Sequence, residues 1–190
     1  MNTLTRFSRP AICFVLGALA LTGVAGWAAD DSSDADSNFA RTTIDVGIVV
    51  SDAKKAADFY AKALGFTEIE GFDVPVALGK DSGLIDGHPV HIRVLVLGEG
   101  ETATKIKLLE FPGVKSKPVD NAYIHSTLGP SYLTIFVKDT TAALERAKEH
   151  GVKPRAKGPV ELPEGFPQGV YLTVVNDPDG NFIELVGPKK

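Results

Sequence analysis

The stretch that decides the fold occurs twice along the chain. Its first copy is Ile44-Asp45-Val46-Gly47-Ile48-Val49-Val50-Ser51-Asp52, and its second copy is Tyr132-Leu133-Thr134-Ile135-Phe136-Val137-Lys138-Asp139. In each copy a run with β-branched residues favours a strand, and the residue after it, Asp52 in the first copy and Asp139 or Thr140 in the second, is typical of a helix N-cap. A glycine then ends each predicted helix, at Gly65 and at Gly151. The repeat indicates two copies of one unit that pack together, with a ligand in the concave surface between them.

Each unit is predicted to follow the order β-α-β-β-β. In the first unit, apolar residues between Ala56 and Leu64 recur at helical spacing. Its later strands are predicted at residues 66–74, 91–97 and 105–111. In the second unit the helix runs to about His150, and strands are predicted at residues 152–160, 169–175 and 181–186. Pro154 and Pro159 interrupt the first of these, which predicts an edge position.

This arrangement resembles the vicinal oxygen chelate superfamily, which includes glyoxalase I, bleomycin-resistance proteins and extradiol dioxygenases. The resemblance covers about residues 42 to 188 and is carried by Val50-Ser51-Asp52, Leu64-Gly65-Phe66 and the ending Asp177-Pro178-Asp179-Gly180-Asn181-Phe182-Ile183-Glu184-Leu185. It implies an α+β fold in which two tandem modules pair into a cup-shaped open barrel. Module one is then 42–113, the linker 114–130 and module two 131–188.

In metal-dependent members of that superfamily, four inward side chains bind one divalent cation. The resemblance places these positions at Asp45, Lys107, Tyr132 and Glu184, of which only Glu184 is the usual type. An ammonium has no lone pair to offer and repels a cation, by about 4 kcal/mol per unit charge pair at a separation of about 4 Å and moderate screening. The hypothesis is that a salt-bridged cluster replaces the metal, with Lys107 between Asp45 and Glu184 and with Tyr132 donating to a carboxylate. If a metal binds after all, Asp45 and Glu184 are its candidate ligands.

Simpler interpretations stay open for several of these side chains. Asp45 at a strand start can face solvent, Lys107 can extend from the rim, and Tyr132 can be a core aromatic with its hydroxyl at the surface. His91 and Arg93 share one face of their strand, where they either line the cup and hold an anionic ligand or form a solvated face.

Two long loops, 74–89 and 159–169, are candidates for covering the site. Phe166 in the second loop is a candidate lid aromatic, or a plain packing residue. His125 lies in the linker and is given no role.

The first 28 residues are typical of a secretory signal peptide. Arg6 and Arg9 precede an apolar run at 11–25, and Gly26-Trp27-Ala28 supplies small residues for cleavage before Ala29. An uncleaved membrane anchor is the alternative. Residues 29–41 are predicted to be a flexible tether, and the protein is expected in the periplasm or outside the cell, without stable membrane insertion after cleavage.

Charge and cysteine content exclude two classes of function. Cys13 is the only cysteine and leaves with the signal, so disulfides and cysteine chemistry are excluded from the mature chain. The chain has 20 basic and 24 acidic residues, and loss of the two arginines in the signal leaves a net charge of about −6. No basic stripe exists that would bind nucleic acid.

The first functional hypothesis is a protein that binds a small apolar or anionic molecule in the cup without the superfamily's usual metal site, with a divalent metal kept as a possible cofactor. The alternative is a lyase or isomerase, or a dioxygenase, with a nonstandard divalent-metal site or with direct acid–base chemistry by Glu184 and Tyr132. A third hypothesis is a periplasmic interaction module whose cup binds no ligand. The expected partner is a small molecule, and a homodimer is compatible with each of these hypotheses.

Overall fold

A computed structural model of the chain describes residues 39–190. The predicted signal peptide and residues 29–38 of the predicted tether lie outside this range. Residues 39–44 are irregular and lead into the first strand. Within the described part of the chain, no helix is long and apolar enough to cross a membrane.

The two modules are present, and each builds its own four-stranded sheet. Module one contains β1 (Asp45–Val49), α1 (Ala53–Asp58), a π-helical segment (Phe59–Ala63), β2 (Thr67–Val74), α2 (Val76–Asp81), β3 (Val90–Leu97) and β4 (Thr104–Leu109). Module two contains β5 (Tyr132–Phe136), α3 (Thr140–Glu149), β6 (Val160–Glu161), β7 (Val170–Asn176) and β8 (Phe182–Pro188). The strand orders are β1-β4-β3-β2 and β5-β8-β7-β6, and in each sheet the first and last strands of the module are parallel neighbours. The α+β prediction with two tandem modules is therefore confirmed, although the sheets do not close into a barrel.

Two local predictions differ from the structure. The strand predicted at 152–160 is wrong in extent, because only a single bridge at Pro154 and the short β6 pair with β7. Prolines at 154 and 159 remove backbone donors that a longer ladder needs. The second difference is α2, a short helix inside the region predicted to be a loop at 74–89.

Side-chain caps explain why both crossover helices begin where they do. The Asp52 carboxylate accepts a hydrogen bond from the Lys55 amide at 2.8 Å, and Asp139 accepts one from the Thr141 amide at 2.9 Å. The stop signals are also alike. Gly65 and Gly151 have φ values of +86° and +77°, which residues with a side chain rarely adopt. The repeat seen in the sequence is therefore a repeat of helix start and stop signals.

One hydrophobic core joins the two modules. It includes Leu108 of β4, Leu185 of β8, and Tyr60 of the π-helical segment, which is fully buried and makes edge-to-face contacts with Phe59 and Phe66. The face of each sheet that carries its leucine packs against the helices, so the opposite faces lie away from this core.

A turn in module two anchors module one. The buried Asp177 carboxylate accepts hydrogen bonds from the Tyr60 hydroxyl, the Asp179 amide, and the Asn181 amide and side chain. The Asp179 carboxylate in turn accepts a hydrogen bond from the Ser51 amide at the end of the first strand region. Burial and the Asp177 charge both raise the pKa of Tyr60, which keeps its hydroxyl protonated as the donor. The Asp-Pro-Asp-Gly motif is therefore a structural clasp.

Candidate functional site

In module one, Asp45 and Lys107 form an ion pair on the sheet face that lies away from the core. Lys107 Nζ lies 2.9 Å from the Asp45 carboxylate, and the Arg41 guanidinium lies 2.8 Å from its other oxygen. The exposed fraction of the side chain is 14% for Asp45 and 33% for Lys107. The hydrogen bond from Lys107 is the main cause that lowers the pKa of Asp45, and it outweighs the opposing effect of partial burial.

The strand register explains how Lys107 reaches Asp45. Lys107 lies directly opposite Gly47, while Asp45 lies opposite Lys105, so all four residues share one face. Gly47 contributes no side chain to this face, and a Cβ there would meet only Leu109, at an ordinary contact distance. The Lys107 side chain therefore has room to pass over Gly47 and reach Asp45, the neighbouring residue on the same face of β1.

In module two, Glu184 is held by a neutral partner. The Thr134 hydroxyl donates a hydrogen bond of 2.7 Å to Glu184, directly across the parallel pair β5 and β8. Tyr132 lies on the same face, half exposed, beside Phe182. Sequence reasoning proposed Tyr132 as the donor and missed Thr134, although its position two residues after Tyr132 on the strand identifies it.

Of the four positions inferred from the resemblance, only Asp45 and Lys107 bond to each other in the described part of the chain, whereas Tyr132 and Glu184 line one cavity. No hydrogen bond or ion pair connects Asp45 or Lys107 with Tyr132 or Glu184 in residues 39–190. No group of three or more His, Cys, Asp or Glu side chains in that range has the proximity that a metal ion needs. A divalent cation does not fit this donor set, because an ammonium lies against Asp45 and Glu184 has a hydroxyl neighbour but no second acid.

His91 and Arg93 lie on the other face of the module-one sheet. Arg93 is opposite Leu108, a core residue, so it and His91 face away from Lys107. Arg93 makes two hydrogen bonds with Glu68, at 2.7 and 2.9 Å, and His91 lies 2.9 Å from Asp73. The structure therefore does not bring these two residues to the face that carries the ion pair.

A cavity of about 660 Å³, here called the module-two pocket, contains Tyr132 and Glu184. Its other polar or aromatic walls come from Tyr123 and His125 of the linker, Arg155, and Phe182. The Tyr123 and His125 rings are stacked, with centroids 5.6 Å apart and planes 10° apart. Arg155 lies over the Phe182 ring at 4.6 Å and donates to the carbonyl of Ala122, which fixes the linker to this module. Sequence reasoning missed these residues because the linker shows no periodic pattern.

A second cavity, of about 800 Å³, lies between the modules and is called the inter-module cavity. Its walls are β1, the segment from Glu110 to Val119 that ends module one and begins the linker, and the region around Tyr132. Tyr132 lines both cavities, so they adjoin at that residue. The proposed lid residue Phe166 is exposed and lines neither of them.

Comparison with known families agrees with this architecture. The sequence profile of the Glyoxalase/Bleomycin resistance protein/Dioxygenase superfamily matches residues 42–185. The chain belongs to this superfamily. The match covers module one, the linker and nearly all of module two. The relationship to the superfamily therefore includes both copies of the repeat.

Solved structures show the same fold at low sequence identity. A glyoxalase family protein from Bacillus cereus is 20% identical, with a TM-score of 0.65 over 82% of this chain and 99% of that one. A glyoxylase/bleomycin resistance protein/dioxygenase domain from Frankia sp. is 18% identical, with a TM-score of 0.55 over 81% and 93%. Glyoxalase I from Zea mays is 19% identical, with a TM-score of 0.56 over 78% of this chain and 45% of that one. At these identities the likeness concerns the fold alone. No curated protein is similar enough to count as a match.

Proposed function

We propose that this superfamily member is an exported protein that binds a small molecule in the module-two pocket. We also propose that the Asp45–Lys107 ion pair stands where metal-dependent relatives hold their cation. The observation that carries the proposal is the 2.9 Å contact between the Lys107 ammonium and Asp45. That contact neutralises a carboxylate that a metal would need, and it places a positive charge at a ligand position.

The module-two pocket supports binding because its walls combine apolar surface with a few polar groups. Binding sites for small molecules usually have this composition and a volume of about 300–1,000 Å³. Glu184 and Arg155 lie in the same pocket, and neither has an ion-pair partner within residues 39–190. A ligand can therefore satisfy both charges without displacing an existing salt bridge.

The content of the purified protein tests the proposal. Native mass spectrometry is expected to detect a small organic adduct, and elemental analysis is expected to find no stoichiometric divalent metal. Glu184→Gln should lower the occupancy of the adduct, whereas the matched exposed change Glu161→Gln in β6 should not. Near-stoichiometric, tightly bound metal would contradict the replacement of the cation by the ion pair. A mass equal to that of the bare chain would contradict a ligand held tightly enough to co-purify.

Export and self-association complete the proposal. Support for export comes from the signal-like layout of residues 1–28, and N-terminal sequencing of the protein from its native compartment should begin near Ala29.

Support for a homodimer comes from exposed apolar side chains on the sheet faces away from the core, Val49 and Tyr132 among them. Sedimentation velocity at micromolar concentration should then give about twice the mass of the mature chain, and a monomer would contradict this part.

A further inference from the structure

We infer that the module-two pocket selects neutral, planar aromatic compounds that carry both a hydrogen-bond donor and an acceptor, such as an aromatic amide or lactam. In this inference the linker residues Tyr123 and His125 form the surface on which the ring stacks. The inference rests on the proposed function and names the ligand class of the same site.

The first step is the shape of the linker wall. Tyr123 and His125 are stacked, with planes 10° apart and ring centroids 5.6 Å apart, so the pair presents the flat outer face of a parallel stack. Both line the pocket, with Tyr132 and Phe182 among the other walls. Aromatic rings stack on such a surface with about 0.5–1.5 kcal/mol more than their buried area gives, which is a gain that a saturated ring does not have.

The second step is that the linker is held in place before any ligand binds. Arg155 donates to the Ala122 carbonyl, next to Tyr123. The Tyr123 amide donates to the Ser126 hydroxyl, and the Ser131 hydroxyl donates to the Ile124 carbonyl. A wall fixed by these bonds loses little conformational entropy on binding, which favours rigid planar ligands.

The third step is the balance of charge in the pocket. Arg155 uses two of its N–H groups, for Asn176 and Ala122, and a guanidinium has five. The Glu184 carboxylate accepts from Thr134 through one oxygen and has further acceptor capacity. The pocket therefore offers one cation that donates and one anion that accepts. A neutral ligand with an acceptor and a donor matches both groups, whereas an anion that is attracted to Arg155 is also repelled by Glu184, and a cation that is attracted to Glu184 is also repelled by Arg155.

Three probes of equal skeleton test this inference by isothermal titration calorimetry. Naphthalene-2-carboxamide is planar and neutral, decahydronaphthalene-2-carboxamide is neutral but not planar, and 2-naphthoate is planar but anionic. The aromatic amide is expected to bind at least about 5-fold more tightly than either of the others, a ratio within the range of the stacking energy. Equal affinity for the planar and saturated amides, or no binding of the planar amide, would overturn the inference.

Variants assign the effect to the linker and to the two charges. Tyr123→Ala, and separately His125→Ala, should weaken the aromatic amide by about 2- to 10-fold and leave the saturated amide unchanged. Tyr171→Ala is the matched control, because Tyr171 lies on the core-side face of β7, beside Lys189, and should change neither. Glu184→Gln should strengthen 2-naphthoate, and Arg155→Gln should weaken it. Unchanged affinity of the aromatic amide in both linker variants, with folding verified by circular dichroism, would overturn the role of the linker.

The outcomes separate this inference from the proposed function. If an adduct co-purifies and the aromatic amide does not bind, the ligand class is wrong while the binding function stands. If the amide binds but no adduct co-purifies, the class is supported and only retention of the natural ligand during purification fails.

Discussion

The two modules place different chemistry on the same strand positions. On these positions module one has the two members of an ion pair, one glycine and a second lysine. Module two has two aromatic residues, one hydroxyl residue and one acid. In repeat order the equivalent residues are Asp45 and Tyr132, Gly47 and Thr134, Lys105 and Phe182, and Lys107 and Glu184.

The difference shows how one fold gives two kinds of sheet face. The face of module one, called the closed face, carries an ion pair, and the face of module two, called the open face, carries a carboxylate without an ion-pair partner among the described residues. In module one, the absent side chain at Gly47 lets Lys107 reach Asp45, and the pair neutralises itself. In module two, Thr134 occupies the equivalent position and holds Glu184 by a neutral hydrogen bond, so the carboxylate keeps its charge beside the module-two pocket. Ligand chemistry is therefore expected in module two, and ion-pair stability in module one.

The largest effect should come from the core, where the modules do not differ. Leu108→Ala in module one and Leu185→Ala in module two remove equivalent side chains, which are 0% and 2% exposed. Each should lower the free energy of unfolding by about 2–5 kcal/mol through lost burial and a cavity. Chemical denaturation should show one cooperative transition in both variants, because the core is shared. Two separate transitions in either variant would show instead that the modules unfold independently.

The next effect should come from the clasp, which only module two supplies. Asp177→Ala removes the acceptor of four hydrogen bonds and leaves the Tyr60 hydroxyl buried without this partner, so a loss of about 2–3 kcal/mol is expected. Glu101→Ala, in the equivalent exposed turn of module one, is the control and should change stability by less than about 0.5 kcal/mol. Equal effects of the two changes in thermal melting would disprove the asymmetry.

Most of the fold could be predicted from the sequence because its signals are local. Asp52 and Asp139 cap helices, Gly65 and Gly151 end them, and these four residues mark both modules. The strand predicted at 152–160 was too long, because its prolines at 154 and 159 remove donors that a full ladder with β7 needs, and only β6 and one bridge form.

The candidate site was less predictable because its contacts depend on register and on the linker. Asp45 and Lys107 were correctly expected to pair, since opposite charges on adjacent strands of one face attract each other. Glu184 was expected beside the same lysine, but its hydrogen bond is with Thr134, and no ion pair within residues 39–190 joins it to Lys107. The walls provided by Tyr123, His125 and Arg155 could not be foreseen, because an aperiodic linker gives no indication of the surface on which it folds.

A smaller effect should follow from breaking the ion pair. Lys107→Met keeps the apolar stem and removes the ammonium, and it should lower the free energy of unfolding by about 1 kcal/mol, because the pair is only partly shielded from solvent. Lys105→Met is the matched control on the same strand and face, and it should have little effect. Urea denaturation at neutral pH measures both. A larger loss from Lys105→Met would show that the ion pair does not set the stability of this face.

The smallest effect is the pH dependence of that difference. The pKa of Asp45 in the folded chain lies below its ordinary value of 3.8, mainly because of the hydrogen bond from Lys107. As the pH falls, the unfolded chain therefore takes up this proton before the folded chain does. The stability from the pair is complete above about pH 4 and is lost as the pH falls through the lowered folded pKa. The gap between the wild-type protein and Lys107→Met in urea midpoint should accordingly be constant from about pH 7 to pH 5 and shrink below about pH 4. Asp58, whose pKa is lowered to about 2 between Lys54 and Lys62, is common to both proteins and cancels in the difference. A gap that stays constant or widens as the pH falls below about 4 would show that the ionised Asp45 carboxylate does not set this difference, and the closed face of module one would then have no electrostatic role in stability.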